Sequence, residues 1–354
     1  MALFDAYRLG GLALANRIVV SPMCQYSATD GRAGDWHLAH WAQLLQSGAG
    51  LVFIEATAVT REGRISHGCL GLYDDGCERD LSDVLARARR LAPAVPVALQ
   101  LAHAGRKGSS ALPWEGGRAL AGAQAWQASA PSAVAFDANG PAPVALDEPG
   151  LDRVRDAFAL AARRALRAGV DALEVHMAHG YLLHEFLSPL ANLRDDAWGG
   201  SREGRMRFPL EVFDAVRSAA PGVPVGVRVS ATDWVEGGWT LDDSVVLARE
   251  LAARRCDYLD VSSAGLSPAQ RIVSGPGLHV PFARALRAAS GLPTMVVGLI
   301  TEPAQADAIV ASGDADLVAL ARAILRNPRW PWHAAKALGA SVRIPPQYLR
   351  GAPV

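Results

Sequence analysis

The segment Leu151–His176, LDRVRDAFALAARRALRAGVDALEVH, contains one whole unit of the fold. Leu151, Val154, Phe158, Ala161 and Ala165 recur along one helical face, so Leu151–Arg167 reads as an amphipathic helix packed against an apolar partner. The short run Ala172–His176 (ALEVH) reads as a strand. Working outward in both directions, the same alternation returns. Strands are predicted at Arg17–Met23, Leu51–Val59, Val95–Leu101, Val223–Val229, Tyr258–Ser262, Thr294–Gly298 and Asp316–Leu320. Helical periodicity covers about Trp36–Gln46, Leu81–Leu91, Arg205–Ala219, Leu241–Ala253, Phe282–Ala289, Pro303–Ala311 and Trp332–Leu338. The strands are nearly continuous apolar runs, as expected of parallel strands covered on both faces. Eight β/α units without a break in composition predict an α/β fold, a (β/α)8 TIM barrel, as a single domain spanning 1–354. A doubly wound sheet is the runner-up, but no GxGxxG follows an early strand.

Two segments depart from the alternation. Tyr7–Asn16 (YRLGGLALAN) reads as a hairpin around Gly10-Gly11 that would plug the barrel floor. After the third strand, residues 104–146 form a long Gly/Pro/Ser/Ala-rich insertion. Leaving the rim where barrels hold their chemistry, it is expected to be a lid.

Composition narrows the function. The 354 residues carry 35 basic and 35 acidic side chains, and half are hydrophobic; mean hydropathy is +0.12 and the pI about 7.1. No one-signed field exists to attract nucleic acid or an anionic membrane. No apolar run reaches the roughly 18 residues that span a bilayer, and MALFDAYRLGG lacks the pattern of a signal peptide. Cys24, Cys69, Cys77 and Cys256 show no CxxC spacing, so a soluble, cytoplasmic protein without a disulfide framework is expected. Only Lys107 and Lys336 are lysines, one in a Gly/Ser-rich loop and one in a late helix, which makes Schiff-base chemistry a poor fit.

The C-terminal strand ends present Ser21-Pro22-Met23-Cys24-Gln25-Tyr26, then Ala58, Gln100 and His103, then His176-Met177-Ala178-His179-Gly180-Tyr181, then Arg228 and Ser230, Ser262-Ser263, Gly298 and Ala321-Arg322. Gly298 and Arg322 have the positions of a barrel phosphate cradle. His176, His179 and His103 leave a metal-dependent hydrolase open, although the HExxH context is missing. No paired carboxylates are visible at the mouth. An arginine, an amide, two imidazoles, a phenol and a thiol suit a bound cofactor that carries the reaction while protein groups orient and polarise.

Ser21–Tyr26, His176–Tyr181 and Asn192-Leu193-Arg194-Asp195-Asp196 with Trp198-Gly199-Gly200-Ser201 together closely resemble the old yellow enzyme family of flavin-dependent ene-reductases, almost from end to end. The Cys24 motif, the histidine pair and the tail Gln347-Tyr348-Leu349-Arg350-Gly351 are similar to the bacterial thermophilic-like subgroup. The resemblance implies FMN across the barrel mouth, its phosphate held near Gly298 and by Ala321-Arg322. Ser21, Pro22, Met23 and Ala58 would line the ring system, Gln100 its pyrimidine edge and Arg228 its N1/O2 side; Cys24 would tune its redox behaviour. The family usually has Gly-Arg where this chain has Ala321-Arg322, and the added methyl should be tolerated unless the position needs φ > 0. NADPH or NADH would be the reductant. The substrate would be an α,β-unsaturated carbonyl (an enone, enal or maleimide), its oxygen held by His176 and His179 and its α-carbon protonated by Tyr181, with Tyr26 lining the pocket. Arg350, in the tail 340–354, would reach a neighbouring subunit's site, which implies a homodimer or homotetramer. The alternatives are the metal-dependent TIM-barrel hydrolase and a non-catalytic flavin-binding module.

Overall fold

The computed structural model describes residues 1–92 and 95–353; Val354, the last residue of the predicted tail, lies outside them. An antiparallel hairpin, β1 (Tyr7–Leu9) and β2 (Leu12–Leu14), precedes the first barrel strand. The barrel strands are β3 (Ile18–Val20), β4 (Leu51–Ala58), β5 (Val97–Ala102), β8 (Ala172–Met177), β9 (Val225–Ser230), β10 (Leu259–Ser262), β11 (Thr294–Val296) and β12 (Leu317–Leu320). All pair in parallel and in chain order, and β12 closes on β3. The short pair β6 (Ser129–Ala130) and β7 (Val144–Ala145) lies within the insertion.

Around the barrel run α1 (Asp35–Leu45), α2 (Asp75–Arg89), α3 (Glu148–Arg167), α4 (Leu182–Leu187), α5 (Arg202–Ala219), α6 (Leu241–Ala253), α7 (Val280–Ser290), α8 (Pro303–Ala311), α9 (Arg322–Arg326) and α10 (Trp330–Leu338). Several boundaries shift from the sequence expectation for local reasons. The helix predicted from Leu81 starts six residues earlier, where the Asp74 carboxylate accepts the Cys77 N–H as an N-cap. Asp147 caps α3 in the same way, accepting from Gly150. The first barrel strand stops short of Met23: Ser21 N–H still donates to the Leu320 carbonyl, but Pro22 has no N–H to continue the ladder.

Strand alternation sorts the side chains into two cores. Leu99, Leu101, Leu173, Val175, Met177, Val227, Val229, Leu259 and Val261 face the helices in the outer core. Ala98, Ala172, Tyr258, Phe53, Met295 and Leu317 fill the barrel interior over Leu9 and Leu14 of the hairpin. The hairpin therefore forms the floor, as predicted. Above this apolar plug, the next inward positions are polar: Gln100, Glu174, Arg228 and Asp260, then His176, Ser230 and Ser262, all buried. Cross-strand register sets Gln100 against Glu174, and Arg228 between His176 and Asp260.

Candidate active site

His176 is the penultimate residue of β8, with its ring buried, and its Nδ1 accepts the Ala178 N–H at 3.2 Å. That bond leaves the proton on Nε2, so the free nitrogen is a donor. His179 sits in the following turn at φ +59, and its Nε2 lies 2.8 Å from Ser262 Oγ. The turn is held tightly. His179 N–H donates to Ser230 Oγ, and Gly180 N–H donates to Nδ1 of the buried His184, which pairs with Asp233 at 2.9 Å. Gly180 is required there: its φ is +71, and a Cβ would stand 2.1 Å from the Gly265 carbonyl oxygen.

The two imidazoles meet edge to face with centroids 5.2 Å apart, and the Tyr181 ring lies 5.2 Å from His176 at 80°. Burial, reinforced by the Arg228 charge, holds both histidines well below the usual imidazole pKa, so they are neutral donors. Burial pushes the Tyr181 phenol well above its ordinary value, so it keeps its proton at neutral pH.

The Cys24 thiol is also driven up by burial, facing the Ala56 N–H and the Tyr26 hydroxyl, and is therefore a thiol rather than a nucleophilic thiolate. Behind it, β4 carries a register shift between Ile54 and Ala56. The bulge turns Glu55 out of the strand's alternation: its Oε1 accepts the Gln25 N–H at 3.0 Å and lies 4.0 Å from His37 Nε2. Burial raises Glu55 to about 8. The unfolded chain therefore ionises before the folded one, and this residue's contribution to stability, complete below about 4.5, is lost as pH rises to about 8. Glu55→Gln should make thermal stability fall less steeply across that window, read as melting temperature against pH. An unchanged slope would count against a protonated Glu55.

Gln100 donates from Nε2 to Glu174 Oε1 at 2.7 Å, leaving its carbonyl oxygen unbonded by protein among the described residues. Arg228 is buried, with Nε 3.2 Å from Asp260 Oδ2 and Nη1 donating to Ser21 Oγ at 3.3 Å. Pro22 and Met23 are half-buried and Ala58 is buried. Gly298 has φ +124, and a Cβ there would come within 2.6 Å of the His279 ring. Ala321 has φ −113, so its methyl is tolerated there, and the exposed Arg322 begins α9 beside it. An amide acceptor, a guanidinium and a floor of small or flat residues match the N3–H, the O2/N1 edge and the apolar rings of a flavin. The donor set fits FMN.

Residues 104–146 stand over this mouth. Trp114 packs edge-on to Tyr26 at 6.1 Å, and a cavity of about 250 Å³ between insertion and barrel is lined by Tyr26, Ile65, Arg106, Lys107 and Phe136. Lys107, which the sequence left in a loop without a role, is nearly buried. Its Nζ donates to the carbonyls of His179 (2.9 Å) and Gly265 (3.0 Å) and lies 5.0 Å from the Tyr181 ring centre. Only its Gly/Ser-rich setting showed in the sequence, and solvation is the usual fate of such a lysine. A carboxyl pair that the strand-end residues of the mouth alone did not reveal, Glu174 and Asp260, lies buried one layer below it. Each interrupts an apolar strand run, ALEVH and YLDVS, which was the available signal. The His103 ring packs against Gly63, its Nδ1 accepting from Gly105 N–H, and among the described residues no three His, Cys, Asp or Glu side chains converge as a metal site. Arg350 is exposed on the tail.

Residues 2–340 match the model of the NADH:flavin oxidoreductase / NADH oxidase family. The chain is 44% identical over 351 residues to an NADPH dehydrogenase of Geobacillus thermodenitrificans, covering 99% of this chain and 98% of that one. It is 41% identical over 350 residues to an NADPH dehydrogenase of Listeria monocytogenes, covering 98% of each. Among solved structures it resembles morphinone reductase with a TM-score of 0.80 at 28% identity, over 98% of this chain and 92% of that one. Morphinone reductase in complex with tetrahydroNAD gives a TM-score of 0.79, also at 28% identity, over 98% and 93%. The chain belongs to the NADH:flavin oxidoreductase / NADH oxidase family, the old yellow enzymes, and is an FMN-dependent oxidoreductase that takes electrons from a reduced nicotinamide.

Proposed function

We propose that the enzyme reduces the activated C=C bond of α,β-unsaturated carbonyl compounds. The observation that carries this reading is the His176 side chain: Nδ1 is occupied by a backbone N–H, Nε2–H is free, and a protonated phenol stands 5.2 Å away. Bound FMN supplies hydride carriage from the nicotinamide to the substrate's β-carbon. The chain's own groups supply the rest. Gln100, Arg228, Ser21, Pro22, Met23, Cys24 and Ala58 hold the flavin ring system, and Gly298 with Ala321-Arg322 holds the phosphate. His176 and His179 donate to the carbonyl oxygen and stabilise the enolate-like charge that grows there. Tyr181 gives its proton to the α-carbon.

Ser262 has a part in this scheme. For His179 to donate from Nδ1, its Nε2 must accept, so the Ser262 hydroxyl is the donor in their 2.8 Å bond.

The test is anaerobic. Mixing with NADPH should bleach the visible flavin band, and adding cyclohex-2-enone or a maleimide should restore it. Bleaching without restoration by any enone, enal or maleimide would overturn the substrate class and leave only the nicotinamide half-reaction.

The tail acts in a second copy of the chain. Arg350 stands in solvent beside the exposed Tyr348 and Leu349, while Tyr348 packs on Trp332 and under Arg329. Arg350→Ala should raise KM for the enone while the rate of flavin reduction holds, in a preparation whose oligomeric state is fixed by light scattering. An unaltered KM in a confirmed oligomer would remove the assignment.

A further inference from the structure

Inside the barrel, two carboxyls stand behind the two residues assigned to the flavin's pyrimidine side. Glu174 Oε1 accepts from Gln100 Nε2 at 2.7 Å, and Asp260 Oδ2 lies 3.2 Å from Arg228 Nε. Glu174 Oε2 and both Asp260 oxygens are shut off from solvent and have no hydrogen-bond partner among the described residues. One guanidinium cannot neutralise two carboxylates, and an uncompensated charge in a dry barrel is costly. The layer balances if one of the pair is an acid.

We propose that Glu174 is held as the neutral carboxylic acid and Asp260 as the anion, a positioning pair that sets both the hydrogen-bond pattern and the charge met by the flavin. The inference rests on the placement of Gln100 and Arg228 against the flavin in the proposed function.

The division of roles follows from the neighbours. Burial and the Asp260 charge push Glu174 well up, outweighing the opposing pull of Arg228 and the Gln100 hydrogen bond. Burial raises Asp260 too, but Arg228 pulls it back down. The other groups packed on the pair are uncharged or lie further off. His176, above Glu174 on β8, is neutral. Tyr258 and Cys256, below on the β10 side, are raised by burial and keep their protons. Asp257, at the floor, is committed to Arg217 at 2.8 Å. Arg228 and Asp260 are thus the ionised members of the layer.

The consequences are specific. With one Nε2–H committed to Glu174, the Gln100 amide is fixed in orientation and its carbonyl oxygen is turned to the ligand, the partner a ring N–H needs. With Asp260 beside it, Arg228 presents a largely cancelled charge to an edge that gains negative charge on reduction. The pair therefore holds the reduction potential below the value a bare Arg228 would give.

Anaerobic redox titration of the FMN-loaded enzyme tests this. Asp260→Asn should raise the preference for reduced over oxidised flavin about tenfold or more, a positive shift of ~30 mV for a two-electron couple. Glu174→Gln, which keeps the neutral state, should leave the potential near that of the wild type. Infrared difference spectra against Glu174→Gln in D2O, in which the other buried acids such as Glu55 cancel, should show a protonated-carboxyl stretch in the wild type that persists in Asp260→Asn. A Glu174→Gln shift as large as that of Asp260→Asn, or no such band in the wild type, overturns the proposal. If Asp260→Asn does not fold, the wild-type band in that difference spectrum still decides the matter. Arg228→Met separates the two levels. If it leaves both potential and FMN retention unchanged, the flavin placement has failed. If it shifts the potential and Asp260→Asn does not, the pair has failed.

Discussion

Tyr181→Phe should leave reduction of the flavin by NADPH within a factor of about two and slow reoxidation by cyclohex-2-enone by roughly 10²–10⁴, the range a positioned general acid contributes. The asymmetry arises because only the second half-reaction needs a proton. Tyr181 is the group placed to give it: its phenol is driven above its ordinary pKa by burial beside Cys24, Tyr26 and Cys69, so it is fully protonated at neutral pH. The substitution removes one oxygen and keeps the ring, so the packing against His176 and under the Lys107 ammonium survives. Stopped-flow traces of the two half-reactions, recorded separately, give both numbers. Equal slowing of both would mean that the ring positions the flavin or the nicotinamide. An undiminished reoxidation rate would hand protonation to solvent. Because the phenol does not titrate near neutrality, the wild-type reoxidation rate should also show no alkaline decline attributable to Tyr181 below its elevated pKa.

The barrel was legible because its signal repeats. Each strand is a short apolar run between helical periods, and eight such units leave few other ways to bury both faces. The boundaries were less legible, since caps set them rather than periodicity: Asp74 and Asp147 lengthen α2 and α3 beyond their apolar stripes. Helix α4 had no amphipathic signal at all, because every residue from Leu182 to Leu187 is buried and no polar face remains to mark its period. At the site, the strand-end motifs announced His176, His179, Tyr181, Cys24 and Arg228, since exposed-type chemistry at the end of an apolar run is conspicuous. The supporting groups were harder to see. Glu55 points where it does because of a bulge that only strand pairing reveals. Lys107 acquires its role from two carbonyls, of His179 and Gly265, that are distant in the chain. Long-range register created these contacts, and no local pattern encodes them.

His176→Ala and His179→Ala should each lower the rate of enone reduction by about 10²–10³, the cost of deleting one donor to a developing oxyanion. Their dependence on Ser262 should differ. His176 takes its tautomer from the Ala178 N–H, a backbone donor that no side-chain change removes. His179 takes its tautomer from a hydroxyl, which can reverse direction. Ser262→Ala should therefore impair the His179 contribution alone. In a Ser262→Ala background, the further loss on His179→Ala should shrink to a fraction of its wild-type size, whereas the loss on His176→Ala should remain whole. The measurement is a pair of double-mutant cycles on enone turnover, with binding of a phenolic ligand, followed by its perturbation of the flavin spectrum, as the equilibrium counterpart. Burial keeps both rings neutral, so the wild-type affinity for a neutral carbonyl ligand should stay flat through the ordinary imidazole pKa. A rise in affinity on acidification through that region would mean that an imidazolium grips the oxygen. Additive cycles would mean that Ser262 does not set the His179 proton.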